Sequence, residues 1–351
     1  MRFDRNLFEG KTVLVTGGTG SFGQRFSKML LEHFNPRKII IFSRDEMKQW
    51  EMQQRFAAID TGGKLRYFVG DVRDLPRLER AFAGGVDYVV HAAALKIITT
   101  AEYNPFEVIK TNIMGAMNVI EASINHKVER IVALSTDKAS SPVNLYGATK
   151  LCSDKLFTAA NAYTGKQKTL FSVVRYGNVM GSRGSIIPFF RSIAHQGELP
   201  ITDERMTRFM ITLEQGVELV WQAFSEAVGG EIFVPKIPSM KVTDVARIIA
   251  PNAKLKIIGI RPGEKIHESM ISEEDARSTF EYPTYFKILP TIYDWHHCRE
   301  RIGSGNQCAE GFSYTSGNNT SWMSDQELTK WMNQEYSASS RPEATVSPKS
   351  S

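Results

Sequence analysis

The sequence predicts an α/β protein built on a Rossmann-type, doubly wound parallel sheet with a smaller C-terminal lobe. Three observations carry that expectation. A glycine-rich turn, Thr16-Gly-Gly-Thr-Gly-Ser-Phe-Gly23, sits between an apolar run and a helical stretch. Short apolar runs then alternate with helical stretches as far as about residue 178, the rhythm of a parallel sheet with crossover helices. Beyond that point glycines, prolines and shorter elements break the rhythm.

Lys11-Thr-Val-Leu-Val-Thr16 is a short apolar run ending in glycines, hence a buried strand. Residues 21–34 repeat apolar side chains at helical spacing (Phe22, Phe26, Met29, Leu30), and Lys38-Ile-Ile-Ile-Phe-Ser43 is a second buried strand. A strand–helix–strand unit of this kind pairs its strands in parallel through a right-handed crossover. Further strands are expected at 65–69, 86–90, 130–134 and 171–175, with helices at 105–126 and 146–163. In the C-terminal part, 187–196, 213–228 and 241–249 read as helices, and no internal repeat is present.

Bulk properties exclude several classes. The 351 residues are 42% hydrophobic and 23% charged, ordinary for a soluble globular chain. The net charge of +5 is scattered without a patch of interleaved basic and aromatic residues, so no nucleic-acid partner is expected. No apolar stretch approaches the ~20 residues of a membrane span, and no membrane partner is expected. Met1-Arg-Phe-Asp-Arg-Asn6 lacks the apolar core of a signal peptide, which points to a cytoplasmic location. The three cysteines, Cys152, Cys298 and Cys308, form no disulfide framework. His296, His297, Cys298 and Cys308 match no common zinc spacing, so no metal is expected.

The glycine turn has the context that a dinucleotide site requires. Gly17 permits the tight turn, Gly20 lets backbone approach a pyrophosphate, and Gly23 lets the helix pack close to the sheet. Ser21 and Phe22 then open a helix whose N-terminus favours the phosphate charge. At the tip of the second strand an NAD site would place an acid first. Here Ser43 and Arg44 come first, followed by Asp45 and, one turn on, Lys48. A hydroxyl and a guanidinium suit a 2′-phosphate, so NADP is the expected cofactor. Asp71 and Val72, after the third strand, are placed for the adenine edge. Ala92 and Ala93 bring small side chains beside the cofactor, and Lys96 follows within reach of a ribose or phosphate oxygen.

Tyr146 and Lys150 are four residues apart, on one helix face. The lysine is expected to lower the phenol pKa, so that a tyrosinate takes a hydroxyl proton as hydride leaves for a nicotinamide. Asp137 and Lys138, in Ser135-Thr-Asp-Lys138 at a strand end, add more than oxidation needs. If C4 of a sugar is oxidised to a ketone, its C5 proton becomes acidic. Lys138, kept neutral by burial and by Lys150, would remove that proton, while a protonated Asp137 assists loss of the 6-hydroxyl.

Those segments recur in order with His91-Ala-Ala-Ala-Leu-Lys96, Ala101-Glu-Tyr-Asn-Pro105, Arg175-Tyr-Gly-Asn178, Gly181-Ser-Arg-Gly-Ser185 and Arg261-Pro-Gly-Glu-Lys265. The set resembles the extended short-chain dehydrogenases/reductases over residues 6–290, and more weakly over 312–331. Within them it is similar to the inverting UDP-N-acetylglucosamine 4,6-dehydratases of pseudaminic-acid biosynthesis, used for flagellin glycosylation. That resemblance implies recycled NADP, UDP-N-acetylglucosamine as substrate and inversion at C5. It assigns Tyr146 to C4 oxidation, Lys138 to the C5 proton, Asp137 to water loss and Thr136 to the C4 oxygen. It also implies a homo-oligomer, dimer or hexamer, packed through helices such as 146–163. Lys96, Asn178, Arg183, Arg208 and Arg261 are expected around the diphosphate and uridine, with Glu264 on a ribose hydroxyl.

Retaining dehydratases carry Thr-Asp-Glu where this chain has Thr136-Asp-Lys138. Ile97-Ile98-Thr99 departs from the family's His-Val-Pro-like stretch, and residues 294–310 fit it poorly. A UDP-N-acetylhexosamine 4-epimerase, a retaining 4,6-dehydratase and a non-catalytic NADP-sensing protein are the competing readings. The expected division is residues 1–178 for an NADP-binding Rossmann domain with the catalytic residues. Residues 179–334 are mainly a substrate-binding lobe, with segments returning to the first domain, and 335–351 a disordered tail rich in Ser, Pro and Ala.

Overall fold

The computed structural model describes residue 4 and residues 6–165, 168–181, 185–292 and 297–339. Arg183 and His296 lie outside the described residues. Six strands open the fold: β1 (Thr12–Thr16), β2 (Lys38–Ser43), β3 (Leu65–Val69), β4 (Tyr88–His91), β5 (Arg130–Thr136) and β6 (Leu170–Tyr176). With a later strand, Ile232–Pro235, they form a seven-stranded parallel array in the order β3-β2-β1-β4-β5-β6 and then Ile232–Pro235. Three antiparallel strands, Tyr285–Ile288, Thr279–Glu281 and Asn306–Gln307, extend it beyond that edge. Every residue of β1 and β4 is buried, as expected for strands covered on both faces.

The helices start where their caps dictate. Asp45 accepts from the Lys48 amide at the head of Glu46–Phe56, and Asn144 accepts from the Gly147 amide at 2.8 Å at the head of α7 (Leu145–Ala160). Thr212 and Gln215 close a capping box at the head of Leu213–Glu226. The helix expected over 105–126 is not continuous. A π-helical turn at Lys110–Met114 divides Pro105–Ile109 from Gly115–Asn125. It turns Asn112 inward to clamp the loop after β4: the Leu95 amide donates to Asn112 Oδ1 (2.8 Å), and Nδ2 donates to Leu95 O (2.9 Å).

One large core lies between sheet and helices, and a second smaller one gathers Met180, Phe190, Leu199, Met210, Val245 and Leu328. Residues 297–307 cap the antiparallel edge. Arg301 Nε donates to Gly229 O (3.0 Å), Lys287 Nζ to Arg301 O (2.9 Å) and Tyr282 Oη to Ile302 O. The last helix, Asp325–Ser339, runs past residue 335, where the disordered tail was expected to begin. Helix formers such as Glu335 and Ala338 carry it on, and residues 340–351 lie outside the described residues.

Phe8 joins the N-terminal segment to the core, fully buried edge-on to Phe26, Phe34, Tyr88 and Phe224 at centroid distances of 5.0–6.3 Å. Phe8→Ala should therefore cost about 3–5 kcal/mol. Urea denaturation checks this, and a loss under about 1 kcal/mol would mean that the segment is not integrated with the core.

Candidate active site

The turn after β1 is shaped for close approach. Gly17 has φ +65°, and a β-carbon there would lie 2.8 Å from Ala92 O and Ala93 N. Ser21 and Phe22 open the helix Ser21–His33, with Gly20 as its N-cap, and Gly23 lies against Gly18. That N-terminus has no side-chain cap and no acid in its first turn, so its amides face an anion unopposed. This cradle fits a dinucleotide pyrophosphate. Thr16 Oγ1 anchors the facing loop, accepting from the Ala92 and Ala93 amides and bonding His91 Nδ1 at 2.8 Å.

At the tip of β2 the acid is already engaged. Asp45 caps its helix and pairs with Lys48 at 2.7 Å. Ser43 Oγ accepts from Gln49 (3.0 Å). Arg44 remains half exposed, 3.8 Å from Asp71. Burial opposes ionisation of Asp71, but two bonds from Arg73 hold its carboxyl below the usual range. Val72 is buried against Gly115, and its carbonyl accepts from Asn118.

β5 delivers the chemical groups. A 3₁₀ turn over Asp137–Ala139 follows Thr136 directly, and a β-carbon on Gly147 would lie 2.2 Å from Lys138 O, so α7 and the turn are in backbone contact. Thr136 Oγ1 donates to Asp137 Oδ1 (3.0 Å), and Thr136 is hydrogen-bonded to the Tyr146 phenol. Lys138 Nζ lies 3.1 Å from Asp137 Oδ1 and 3.0 Å from Glu268 Oε1. Asp137 Oδ2 and Glu268 Oε2 are buried without hydrogen-bond partners among the described residues.

Two electrostatic expectations are corrected. Lys138 was expected to be neutral. Burial does disfavour its charge, but Asp137 and Glu268 outweigh burial and raise its pKa, so the resting side chain is an ammonium ion. Tyr146 was expected to be acidified by Lys150. Burial instead pushes the phenol up to about 12, against the opposing charge of Lys138 and the Thr136 bond. For Asp137 the direction matches the acid role: burial raises its pKa against the attraction of Lys138.

Behind these groups lies a buried network. Ser135 Oγ donates to Asp154 Oδ2 (2.7 Å), which also pairs with Arg175 Nη2 at 3.2 Å. Burial lowers the pKa of Lys150, and the charge of Asp154 offsets part of that. Asn112 Nδ2 donates to Thr149 Oγ1 (3.0 Å), tying the π turn to α7. Lys96 is open to solvent at its tip, yet the surrounding protein and then Lys138 lower its pKa.

A cleft opens in front of Lys138 and is lined also by Asn178, Arg208, Glu264 and Glu268. Arg208 is well anchored: Nη1 donates to Thr207 O and Ile266 O, and Nε lies 3.7 Å from Glu268. Arg261 is mostly exposed, outside the cleft lining, and pairs with Glu264 at 2.6 Å. Asn144 Nδ2 donates to Gly263 O (2.8 Å), docking that turn on the head of α7. Arg183 lies outside the described residues, so the structure does not place it. Among the described residues no group of three or more His, Cys, Asp or Glu could hold a metal ion, and no helix is long and apolar enough to cross a membrane.

Reading the sequence missed Glu268, Asp154 and Asn112. Asp154 had a signal, four residues past Lys150 on the same helix face. Glu268 is only three residues past Lys265, but nothing in Lys265-Ile-His-Glu268 marks it. Asn112 reads as one more residue of a continuous helix.

A Rossmann sheet carrying a tyrosine and a lysine four residues apart on the helix after its fifth strand is the architecture of the short-chain dehydrogenases/reductases. The chain belongs to the polysaccharide biosynthesis protein family, which it matches over residues 13–290. It is 54% identical to a UDP-N-acetylglucosamine 4,6-dehydratase (inverting) of Campylobacter jejuni, over 93% of this chain and 98% of that protein. It is 40% identical to a UDP-glucose 4-epimerase of Rickettsia akari, over 92% and 96% of the two chains. Among solved structures it resembles Pen from Bacillus thuringiensis, with a TM-score of 0.84 and 37% identity over 93% and 99% of the two chains.

His91 yields a pH prediction. Burial, and then the charge of Lys150, lower its pKa from 6.5 to about 3. The folded chain keeps it neutral, whereas the unfolded chain protonates it below about 6.5. Its contribution is therefore whole above about 6.5 and is lost as pH falls toward about 3. Between about pH 6.5 and 5 that loss is about 1.5 kcal/mol. Urea midpoints of wild type and His91→Gln at both pH values check this, with a shallower acid loss expected in the variant. Equal slopes would exclude His91 as the group responsible.

Proposed function

We propose that this protein is an inverting UDP-N-acetylglucosamine 4,6-dehydratase. Its product would be UDP-2-acetamido-2,6-dideoxy-β-L-arabino-hex-4-ulose. The observation that carries the reading is the Asp137–Lys138 pair, with Asp137 buried and Lys138 lining the cleft, beside Tyr146 and Thr136. An epimerase needs the tyrosine and the cofactor but no second acid–base pair. The 54% identity to an enzyme of this name over nearly the whole chain supports it.

In this reading the bound nicotinamide dinucleotide supplies reversible hydride acceptance, between C4 and C6 of the sugar. Tyr146, bonded to Thr136, accepts the C4 hydroxyl proton. Burial holds it as a phenol, so as it accepts that proton it gives its own through Thr136 Oγ1 to the Asp137 carboxylate. Lys138 takes the C5 proton. Asp137, protonated in that relay and favoured as the neutral acid by burial, gives the proton to the departing 6-hydroxyl, which leaves as water. Arg208 and Asn178 line the path of the diphosphate, and Glu264 that of the ribose. The second core, with its flanking strands, forms the substrate lobe. The first step of pseudaminic-acid biosynthesis for flagellin glycosylation is the pathway in which we place it.

NADP is the cofactor of this reading, because Asp45 is occupied by its helix cap and by Lys48 while Arg44 stays half exposed. A homo-oligomer also belongs to it. Most of α7 is buried within the subunit, but Tyr103, Phe106, Met114 and Met117 on the preceding helices are 87, 77, 51 and 51% exposed.

The test is incubation with UDP-N-acetylglucosamine in deuterated water, followed by NMR and mass spectrometry. Loss of water, a new methyl signal, deuterium at C5 and the L-arabino configuration are expected. Retention of the D-configuration would move the protein to the retaining dehydratases. An unchanged mass with a C4 epimer would make it an epimerase. Separately, Arg44→Ala should weaken NADP binding about tenfold while leaving NAD nearly unchanged, in keeping with loss of one charge-assisted contact. Equal weakening of both by calorimetry would remove the argument for NADP.

A further inference from the structure

A lysine that must accept a proton in this reaction rests as an ammonium ion. Glu268 supplies the answer. Its backbone is clamped on both sides by Ser316, whose Oγ accepts from the Glu268 amide (2.9 Å) and whose amide donates to Glu268 O (2.8 Å). Ser316 Oγ is bonded in turn to Thr207 Oγ1 (2.7 Å), and Thr207 to His267 Nδ1 (2.8 Å). The carboxylate is thereby fixed, 3% exposed, with Oε1 3.0 Å from Lys138 Nζ and Oε2 buried without a partner among the described residues. Both groups line the same cleft as Arg208.

We infer that Glu268 arms Lys138 when the nucleotide binds: Glu268 Oε1 accepts a proton from Lys138 Nζ and leaves a neutral amine facing the sugar. One N–H bond breaks and one O–H bond forms, so a charged pair becomes a neutral pair and no proton is exchanged with solvent. The amine then takes the C5 proton as the C5–H bond breaks. Glu268 acts through Lys138 and is a positioning residue. Two physical effects drive the transfer. A sugar filling the cleft removes water, which penalises the ion pair more than the neutral pair. The diphosphate engages Arg208, whose Nε lies 3.7 Å from Glu268, and so weakens one cation that holds this carboxylate ionised. The other charged groups facing the pair are Asp137, in contact with Lys138, and Lys265, whose Nζ is tied to Ser140 O at 2.7 Å. Lys96 and the Tyr146 phenol also feel the Lys138 charge.

The inference rests on the dehydratase reading, and Glu268→Gln tests it. C4 oxidation, read from the near-ultraviolet absorbance of reduced nicotinamide on mixing with UDP-N-acetylglucosamine, should persist. Dehydration and deuterium entry at C5 should fall about 100-fold in kcat, with KM within about threefold. Lys138 must then release its proton to solvent, so the variant should regain activity as pH rises, whereas a merely structural defect would not. Glu268→Asp should restore part of the rate. A Glu268→Gln enzyme within about threefold of wild type at neutral pH would overturn the inference. So would parallel loss of C4 oxidation and dehydration without alkaline recovery. A second readout needs no turnover: nitrogen-15 NMR of labelled lysine, with UDP alone as probe. UDP should shift the Lys138 signal toward the neutral amine in wild type and not in Glu268→Gln, and no shift in wild type would overturn the inference. If wild-type enzyme yields no product from UDP-N-acetylglucosamine, the dehydratase reading falls, and the UDP titration alone decides the role of Glu268.

Discussion

The ammonium of Lys138, held between the buried carboxylates of Asp137 and Glu268, is the interaction on which the rest of the site depends. Its members come from separate parts of the fold, brought together in space. Asp137 and Lys138 ride on the end of β5 in the parallel sheet. Glu268 heads the strand Ser269–Ile271 and is fixed by Ser316 in the C-terminal segment. Arg208, next to Glu268, sits on Thr207–Ile211 beside the second core. Removing one partner from such a cluster leaves a buried charge uncompensated, at a cost of about 3–5 kcal/mol. The cluster thus ties the end of β5 to the strands Ser269–Ile271 and Thr207–Ile211 as well as grouping the chemical side chains.

Much of this was legible in the sequence because the signals were periodic or local. The buried parallel strands, the glycine turn and the YxxxK helix are patterns of spacing, and spacing survives without coordinates. The fifth strand was expected over 130–134 and runs to Thr136, which brings its end directly onto the 3₁₀ turn at Asp137–Ala139. The π turn did not announce itself, because the contacts made there are tertiary: the Asn112 side chain bonds Leu95 and Thr149, far from it in sequence. The extra turns of the last helix reflect ordinary helix propensity in a segment whose composition suggested a tail.

The charge states were the part least visible. From sequence, Lys138 and Lys150 look alike, two lysines expected to be buried beside one phenol. The structure separates them by their neighbours. Lys150 has Asp154 near it but no ion pair among the described residues, so burial lowers its pKa. Lys138 touches two carboxylates, and those contacts outweigh the same burial. One of the two partners is 130 residues away, at Glu268, and no local pattern foretells it. The sign of a pKa shift at a buried site is a property of the tertiary contacts, not of the motif.

That sign has a consequence for how such a site can work. A neutral, solvent-facing amine in an empty cleft would be protonated by water at neutral pH and would be no base when a substrate arrived. An ammonium ion stored against a fixed carboxylate avoids this, because the proton has an acceptor 3.0 Å away and need not cross to bulk solvent. The barrier to that short transfer is set by the local field, and the field is set by what fills the cleft. Water and Arg208 hold the pair charged. In the proposed function, a diphosphate on Arg208 and a sugar in place of water would both act in the opposite direction. With the proposed transfer, recognition of the nucleotide and readiness of the base would be one electrostatic event, set by the same few charges around Lys138.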